Sequence, residues 1–144
     1  MTIQFSKYEG AGNDFIMIDD RKLQFPANSQ LISNLCDRHF GIGADGILLV
    51  QHSEGYDFGM NYFNSDGSHA TFCGNGGRCI TAFAHQKGIT GNTCRFLAAD
   101  GIHHAQITEN TGNVMIVELG MLDPVLYSMD KNYYYLNTGT YHVV

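Results

Sequence analysis

Residues Cys73 to Cys79 read CGNGGRC, a cysteine set directly before a glycine-rich entry into an apolar-periodic stretch. That spacing can do chemistry. The first turn of a helix exposes backbone N–H groups that lack intrahelical partners, and it carries partial positive charge. Such a start can hold a carboxylate, and it favours thiolate over thiol at a neighbouring cysteine. Glycines there let a ligand approach the backbone with no Cβ in the way. Cys73 would then be an acid–base group or nucleophile beside its own anion cradle. A buried structural cysteine followed by a flexible turn fits the same spacing. On spacing alone both readings stay open.

Other polar positions divide similarly. Asn13 in GAGNDF and Asn64 in FNSDGS each offer two donors and an acceptor, suited to the ammonium and carboxylate of an amino acid. Either asparagine can also simply serve a turn. Cys36, Cys79 and Cys94 sit in apolar settings and read as small hydrophobes. With no secretory signal pattern, the four cysteines read as reduced thiols. His103 and His104 are adjacent, and in a strand they face opposite sides. Neither Cys-x-x-Cys nor His-x-x-x-His spacing occurs, so no metal is expected. GIGADG, Gly41 to Gly46, has the letters of a dinucleotide fingerprint in the wrong context. That fingerprint follows a strand and opens a helix, whereas these glycines follow a helix and open the strand ILLV.

The elements that must position these residues are strand-rich, with two helices. IQFSKY and FIMIDD read as strands around the turn EGAGND. A first helix follows, capped by Asn28 or Ser29, with Leu31, Ile32, Leu35 and Cys36 on one face and Gly41 as its stop. GILLVQH and DFGMNYFN read as strands, the second ending in NSDGS. A second helix runs from about Gly74 to Lys87, with Cys79, Ile80, Phe83 and Ala84 as its apolar stripe. CRFLAA, IHHAQITE and NVMIVELG form an antiparallel meander, and KNYYYLNTGTYHVV reads as further strand.

The class is therefore α+β, one domain over residues 1–144. Hydrophobic residues make up 44% and charged residues 15%, which is incompatible with disorder. The formal net charge is −6 with no basic cluster, so no nucleic-acid partner is expected. No apolar run reaches the ~20 residues that span a bilayer. A soluble cytoplasmic protein without membrane contact is the expectation.

GNDF after a first strand, RHFGIGADG after a first helix, then FNSDGS and CGNGGRC occur together and in that order. This combination resembles the N-terminal half of diaminopimelate epimerase. The resemblance implies a curved, mostly antiparallel sheet wrapped on a central helix. It implies cofactor-independent two-base epimerisation of LL-diaminopimelate to the meso form, a step towards lysine and peptidoglycan precursors. One cysteine removes the α-proton from one face and a second delivers a proton to the other. Neither metal, pyridoxal phosphate nor nucleotide takes part. By motif, Cys73 is one catalytic thiol, Gly74 and Asn75 hold the reacting carboxylate, and Asn13 and Asn64 contact substrate. His142, in a segment resembling the family's Gly-Asn-Pro-His, tunes the thiol. Thr140 and Tyr141 break that pattern, and Gly46 stands where some members have a glutamine.

Family members are roughly twice this length, and the second cysteine belongs to their other half. That half is expected to be missing here, or replaced by a second copy in a homodimer. Cys79 cannot substitute, since six residues along one helix is ~9 Å on the same side of any ligand. The other readings are a non-catalytic half-domain and a racemase of another amino acid.

Overall fold

The computed structural model describes residues 2–129, 132–137 and 141–143. Seven strands form one sheet in chain order: β1 (Ser6–Gly10), β2 (Asn13–Asp19), β3 (Gly46–Gln51), β4 (Phe58–Asn64), β5 (Thr93–Ala98), β6 (Gly101–Asn110) and β7 (Met115–Leu119). Four neighbouring pairs are antiparallel, while β2–β3 and β4–β5 are parallel. A parallel pair needs a crossover rather than a hairpin. The two helices, α1 (Ser29–Cys36) and α2 (Gly74–Gln86), lie in those two crossovers and cover opposite faces of the sheet.

This arrangement explains the apolar runs. Phe15 and Met17 of β2 and Leu48 and Val50 of β3 pack towards Ile80 and Phe83 of α2. Their alternates Ile16, Ile18, Ile47 and Leu49 pack towards Ile32 and Cys36 of α1. Strands covered on both faces read as unbroken apolar sequence. Further along the sheet, β5 alternates exposed and buried residues because only α2 covers it. Helix α2 touches both edge strands, β1 and β7, so the sheet curls around it. The expected curved sheet on a central helix is what the chain forms. The apolar stripe of α2 is buried as the spacing requires, and α2 ends at Gln86 with Lys87 as its C-cap. His103 is buried and His104 exposed, as strand alternation demands.

Three local expectations need correction. The first hairpin is tighter than EGAGND implies: Gly10 pairs with Asn13 across a two-residue loop. Ala11 and Gly12 have φ of 52° and 88°, the positive pair that matches the twist of a hairpin. Asn13 is thus the first residue of a strand rather than part of a turn. Helix α1 ends at Cys36, before Gly41. There the Asp37 carboxylate accepts the N–H groups of His39 and Phe40 at 2.8 and 2.7 Å, a local alternative to continuing the helix. Ile42 and Gly43 then donate to the Leu35 carbonyl, and Ala44 to that of Cys36. Finally, a second, antiparallel sheet contains β8 (Val125–Met129), β9 (Tyr134–Asn137) and β10 (Tyr141–Val143), of which β8 was not anticipated. No helix among the described residues is long and apolar enough to cross a membrane.

Candidate active site

The chemistry-bearing motifs converge on one end of the sheet. β2 and β3 run parallel and begin there, while β4 runs the other way and ends there. Gly46 lies beside both Phe15 and Asn64 in the register, which brings GNDF, GADG and FNSDGS side by side. The start of α2 joins them through a hydrogen bond from Asn75 Nδ2 to Asn13 Oδ1 at 2.8 Å.

Cys73 is the N-cap of α2, with an extended backbone and no capping hydrogen bond from its side chain. Its carbonyl accepts the first helical bond, from Gly77 N–H at 2.8 Å. The N–H groups of Gly74, Asn75 and Gly76 therefore precede the intrahelical ladder, in the cradle arrangement. Cys73 is partly exposed, whereas Cys36, Cys79 and Cys94 are buried. Burial pushes the Cys79 thiol up to about 12 and that of Cys36 up to about 11. Cys94 is raised for the same reason. All three pack as core residues, as their apolar settings suggested.

The glycines of CGNGG fit tightly. A Cβ on Gly77 would lie 2.9 Å from both Leu119 Cδ2 and Phe72 Cζ, and one on Gly76 would lie 3.3 Å from Leu48 Cδ1. These two let α2 sink into the curl of the sheet. Gly74 has ordinary room, with the Met121 thioether 3.6 Å from where a Cβ would be. Phe72, just before Cys73, stacks on buried His103 with ring centroids 3.9 Å apart. The two ring nitrogens of His103 lie 3.0 Å from Gly120 O and 2.9 Å from Asp100 Oδ1. The catalytic candidate thus follows a residue clamped in the core.

A charged cluster missed from sequence lies behind the asparagines. Asp45 Oδ2 accepts Asn13 Nδ2 at 2.9 Å and the Asp14 N–H at 3.3 Å. Arg38 reaches both Asp14 (2.7 Å) and Asp45 (2.9 Å), and Lys7 pairs with Asp14 at 2.8 Å. Hydrogen bonding by Arg38 holds Asp14 well below the usual carboxylate range, and that of Asn13 lowers Asp45. Lys7 in β1, Asp14 in β2 and Arg38 and Asp45 in loops are lone charges that gave no periodic or motif signal. The one available clue was that GNDF and GADG both carry an aspartate near an expected strand start.

The remaining expected positions are more dispersed. Asn64 ends β4 and holds its own turn: Nδ2 donates to Ser68 Oγ at 3.1 Å, and its carbonyl accepts Gly67 N–H at 2.9 Å. Gly46 is buried where a Cβ would lie 2.4 Å from Phe63 O. His142 is in β10, opposite Leu136. Tyr141 is opposite Asn137, and Thr140 lies outside the described residues. A groove of about 780 Å³ between β1 and β7 is lined by Tyr8, Glu9 and Cys79 but not by Cys73. The start of α2, where Cys73 lies, is separate from that groove.

Solved structures define the class of fold. A probable proline racemase from Agrobacterium radiobacter superposes with a TM-score of 0.78 at 15% identity, covering 99% of this chain and 51% of that one. A phenazine biosynthesis protein of the PhzF family from Bacillus anthracis gives 0.69 at 18% identity, over 99% and 55%. These show that the chain has the fold of these two proteins. The family model described as diaminopimelate epimerase matches residues 5–125. A diaminopimelate epimerase of Flavobacterium psychrophilum is 51% identical over 96% of this chain and 53% of its own length. One from Chlorobaculum tepidum is 42% identical over 94% and 54%. The chain belongs to the diaminopimelate epimerase family, and it spans about half the length of these relatives.

Proposed function

We propose that this chain supplies one half of a cofactor-independent, two-base epimerase site that inverts the α-carbon of LL-diaminopimelate to give the meso form. The observation that carries the reading is the partly exposed Cys73 at the uncapped start of α2, tied through Asn75 to Asn13. The Cys73 thiolate takes the α-proton, or its thiol returns one, on the face it fronts. Charge that develops on the substrate carboxylate meets the Gly74 and Asn75 N–H groups, which are fixed before reaction and need no reorganisation. Asn13 and Asn64 contact the rest of the amino acid, and His142 tunes a thiol. An α-proton beside a carboxylate is very weakly acidic, so this preorganised cradle is the main demand on the fold.

A two-base inversion needs a second thiol on the opposite face. Cys36, Cys79 and Cys94 are buried, so that base lies outside these residues, on further chain or on a second copy. The test is incubation of the whole protein containing this chain with LL-diaminopimelate in D₂O. Stereoinversion with one deuterium gained at the α-carbon is expected, and inversion without deuterium would sink the reading. Residues 1–144 by themselves should give neither, unless two copies pair; the rate per chain then rises with concentration. Proline and glutamate offered in the same assay should remain unchanged.

A further inference from the structure

We infer that Asp45 is a positioning residue that fixes the polarity of two asparagine amides in series, and with it which atoms the helix start presents to its ligand. The inference rests on the epimerase reading only for the identity of that ligand. An asparagine amide is nearly symmetric in shape but not in chemistry, since its two ends exchange donor for acceptor when it turns over. Something must hold it one way. An ionised carboxylate can only accept, and Asp45 Oδ2 lies 2.9 Å from Asn13 Nδ2. That bond obliges the Asn13 amide to turn Oδ1 the other way. There it accepts from Asn75 Nδ2 at 2.8 Å. The second amide is fixed in turn, with Oδ1 directed to Arg78 Nη1 at 3.3 Å.

Each amide nitrogen carries two hydrogens, so one N–H of Asn13 and one of Asn75 remain beyond this chain of bonds. With the orphan N–H groups of the first turn they make a donor-rich surface suited to a carboxylate. Asp45 itself is held from several sides. Its Oδ1 accepts Arg38 Nη2 at 2.9 Å and its Oδ2 accepts the Asp14 N–H, while its backbone joins Asp14 O and Ser65 N–H. GIGADG, empty as a nucleotide motif, thereby gains a purpose: it delivers this carboxylate to the strand ends. An asparagine at 45 would have one acceptor oxygen where Asn13 and Arg38 each need one. Arg38, the charged donor, takes that oxygen, which leaves the amide nitrogen facing Asn13 Nδ2, donor against donor.

The test is long-range amide-to-carbonyl NMR on the ¹³C,¹⁵N-labelled chain, which reads couplings across hydrogen bonds. Cross-peaks from Asn13 Nδ2–H to Asp45 Cγ and from Asn75 Nδ2–H to Asn13 Cγ are expected. In D45N both should vanish together with the β2–β3 backbone pattern retained. Survival of the Asn75 peak in D45N, or absence of either peak in the wild type, overturns the inference. Should D45N not fold, acid titration of the wild type replaces it. The Asn75 side-chain resonances must then move at the midpoint of the Asp45 carboxyl carbon, distinguished from that of Asp14, while Cys36 and Tyr62 nearby, both raised by burial, keep their protons at acid pH. Failure to move there overturns the inference equally. In the whole protein, D45N should lower kcat/KM for diaminopimelate about 10- to 100-fold, the scale of a slight misplacement of reacting groups. An inactive wild type with both cross-peaks present would refute the epimerase reading and leave the positioning role intact.

Discussion

The two helices begin in opposite ways. At α1 the Asn28 side chain accepts the Leu31 N–H at 2.9 Å, which satisfies an orphan donor. At α2 the N-cap is Cys73, and its side chain makes no such bond. Sulfur is a weak acceptor where asparagine or serine oxygen is a good one. A good cap on α2 would occupy the N–H groups that, in the proposed function, receive the substrate carboxylate. Helix α1 is thus finished as a structural element, while α2 leaves its first turn open and recovers stability elsewhere. That stability comes from burial along its length and from Gly76 and Gly77, which admit it deep into the sheet.

The largest effect should come from removing the open cap's sulfur. Cys73→Ala in the whole protein should cost about 10²- to 10⁴-fold in kcat, the usual worth of a positioned acid or base. Thermal stability should hardly change, because the thiol caps nothing. A large drop in Tm with retained activity would reverse the assignment.

Alkylation with iodoacetamide at pH 8 sharpens the contrast within α2. Cys73 should react first. Cys79, held near 12 by burial, carries about a thousandth of the thiolate of an ordinary thiol. Equal rates, read by peptide mass spectrometry, would contradict the placement. The same burial sets a sign for stability. Above pH 9 the unfolded chain releases thiol protons that folded Cys79 and Cys36 retain, so stability falls as pH rises towards their folded values of about 12 and 11. At the acid end, Asp14 and Asp45 titrate lower in the fold than in the unfolded chain. Their contribution is present above the ordinary carboxylate range and is lost as pH drops through their folded values. Urea midpoints across pH should show both flanks.

Gly77→Ala tests how α2 is seated. Its Cβ would meet Leu119 and Phe72 at 2.9 Å, and overpacking of that kind costs about 1–3 kcal/mol. A stability gain, as an ordinary glycine-to-alanine change in a helix would give, would show that the fit is loose. The smallest effects concern the caps themselves. Asn28→Ala should lower stability by about 1 kcal/mol with activity unchanged. Cys73→Ser should raise it by about 0.5–1 kcal/mol while removing activity. Opposite signs at the two caps would be the cleanest statement of the difference between the helices.

Much of the site was legible one motif at a time. The helix after CGNGG, the burial of Cys79 and the opposite facing of His103 and His104 follow from local periodicity, which neighbours three and four residues away impose. Asn13 was harder. Sequence set it in a loose turn, and only the two-residue hairpin, with positive φ at Ala11 and Gly12, made it a fixed strand residue. The end of α1 was misjudged because a glycine stop signal was weighed above the Asp37 side chain, which competes for the same N–H groups.

By itself the sequence determined the elements of the seven-stranded sheet and its two helices, the α2 start and the family resemblance, because each is written in short-range spacing or in ordered motifs. The tertiary structure alone decided which motifs meet. One parallel pairing, β2 with β3, and one antiparallel pairing, β3 with β4, carry GADG, GNDF and FNSDGS to one end of the sheet, and the curl of that sheet seats α2 among them. The link from Asp45 through Asn13 to Asn75 spans residues 32 and 62 positions apart in sequence. No periodicity reaches that far. Such contacts exist only once the chain's long-range pairing has been chosen by the burial of its two apolar cores.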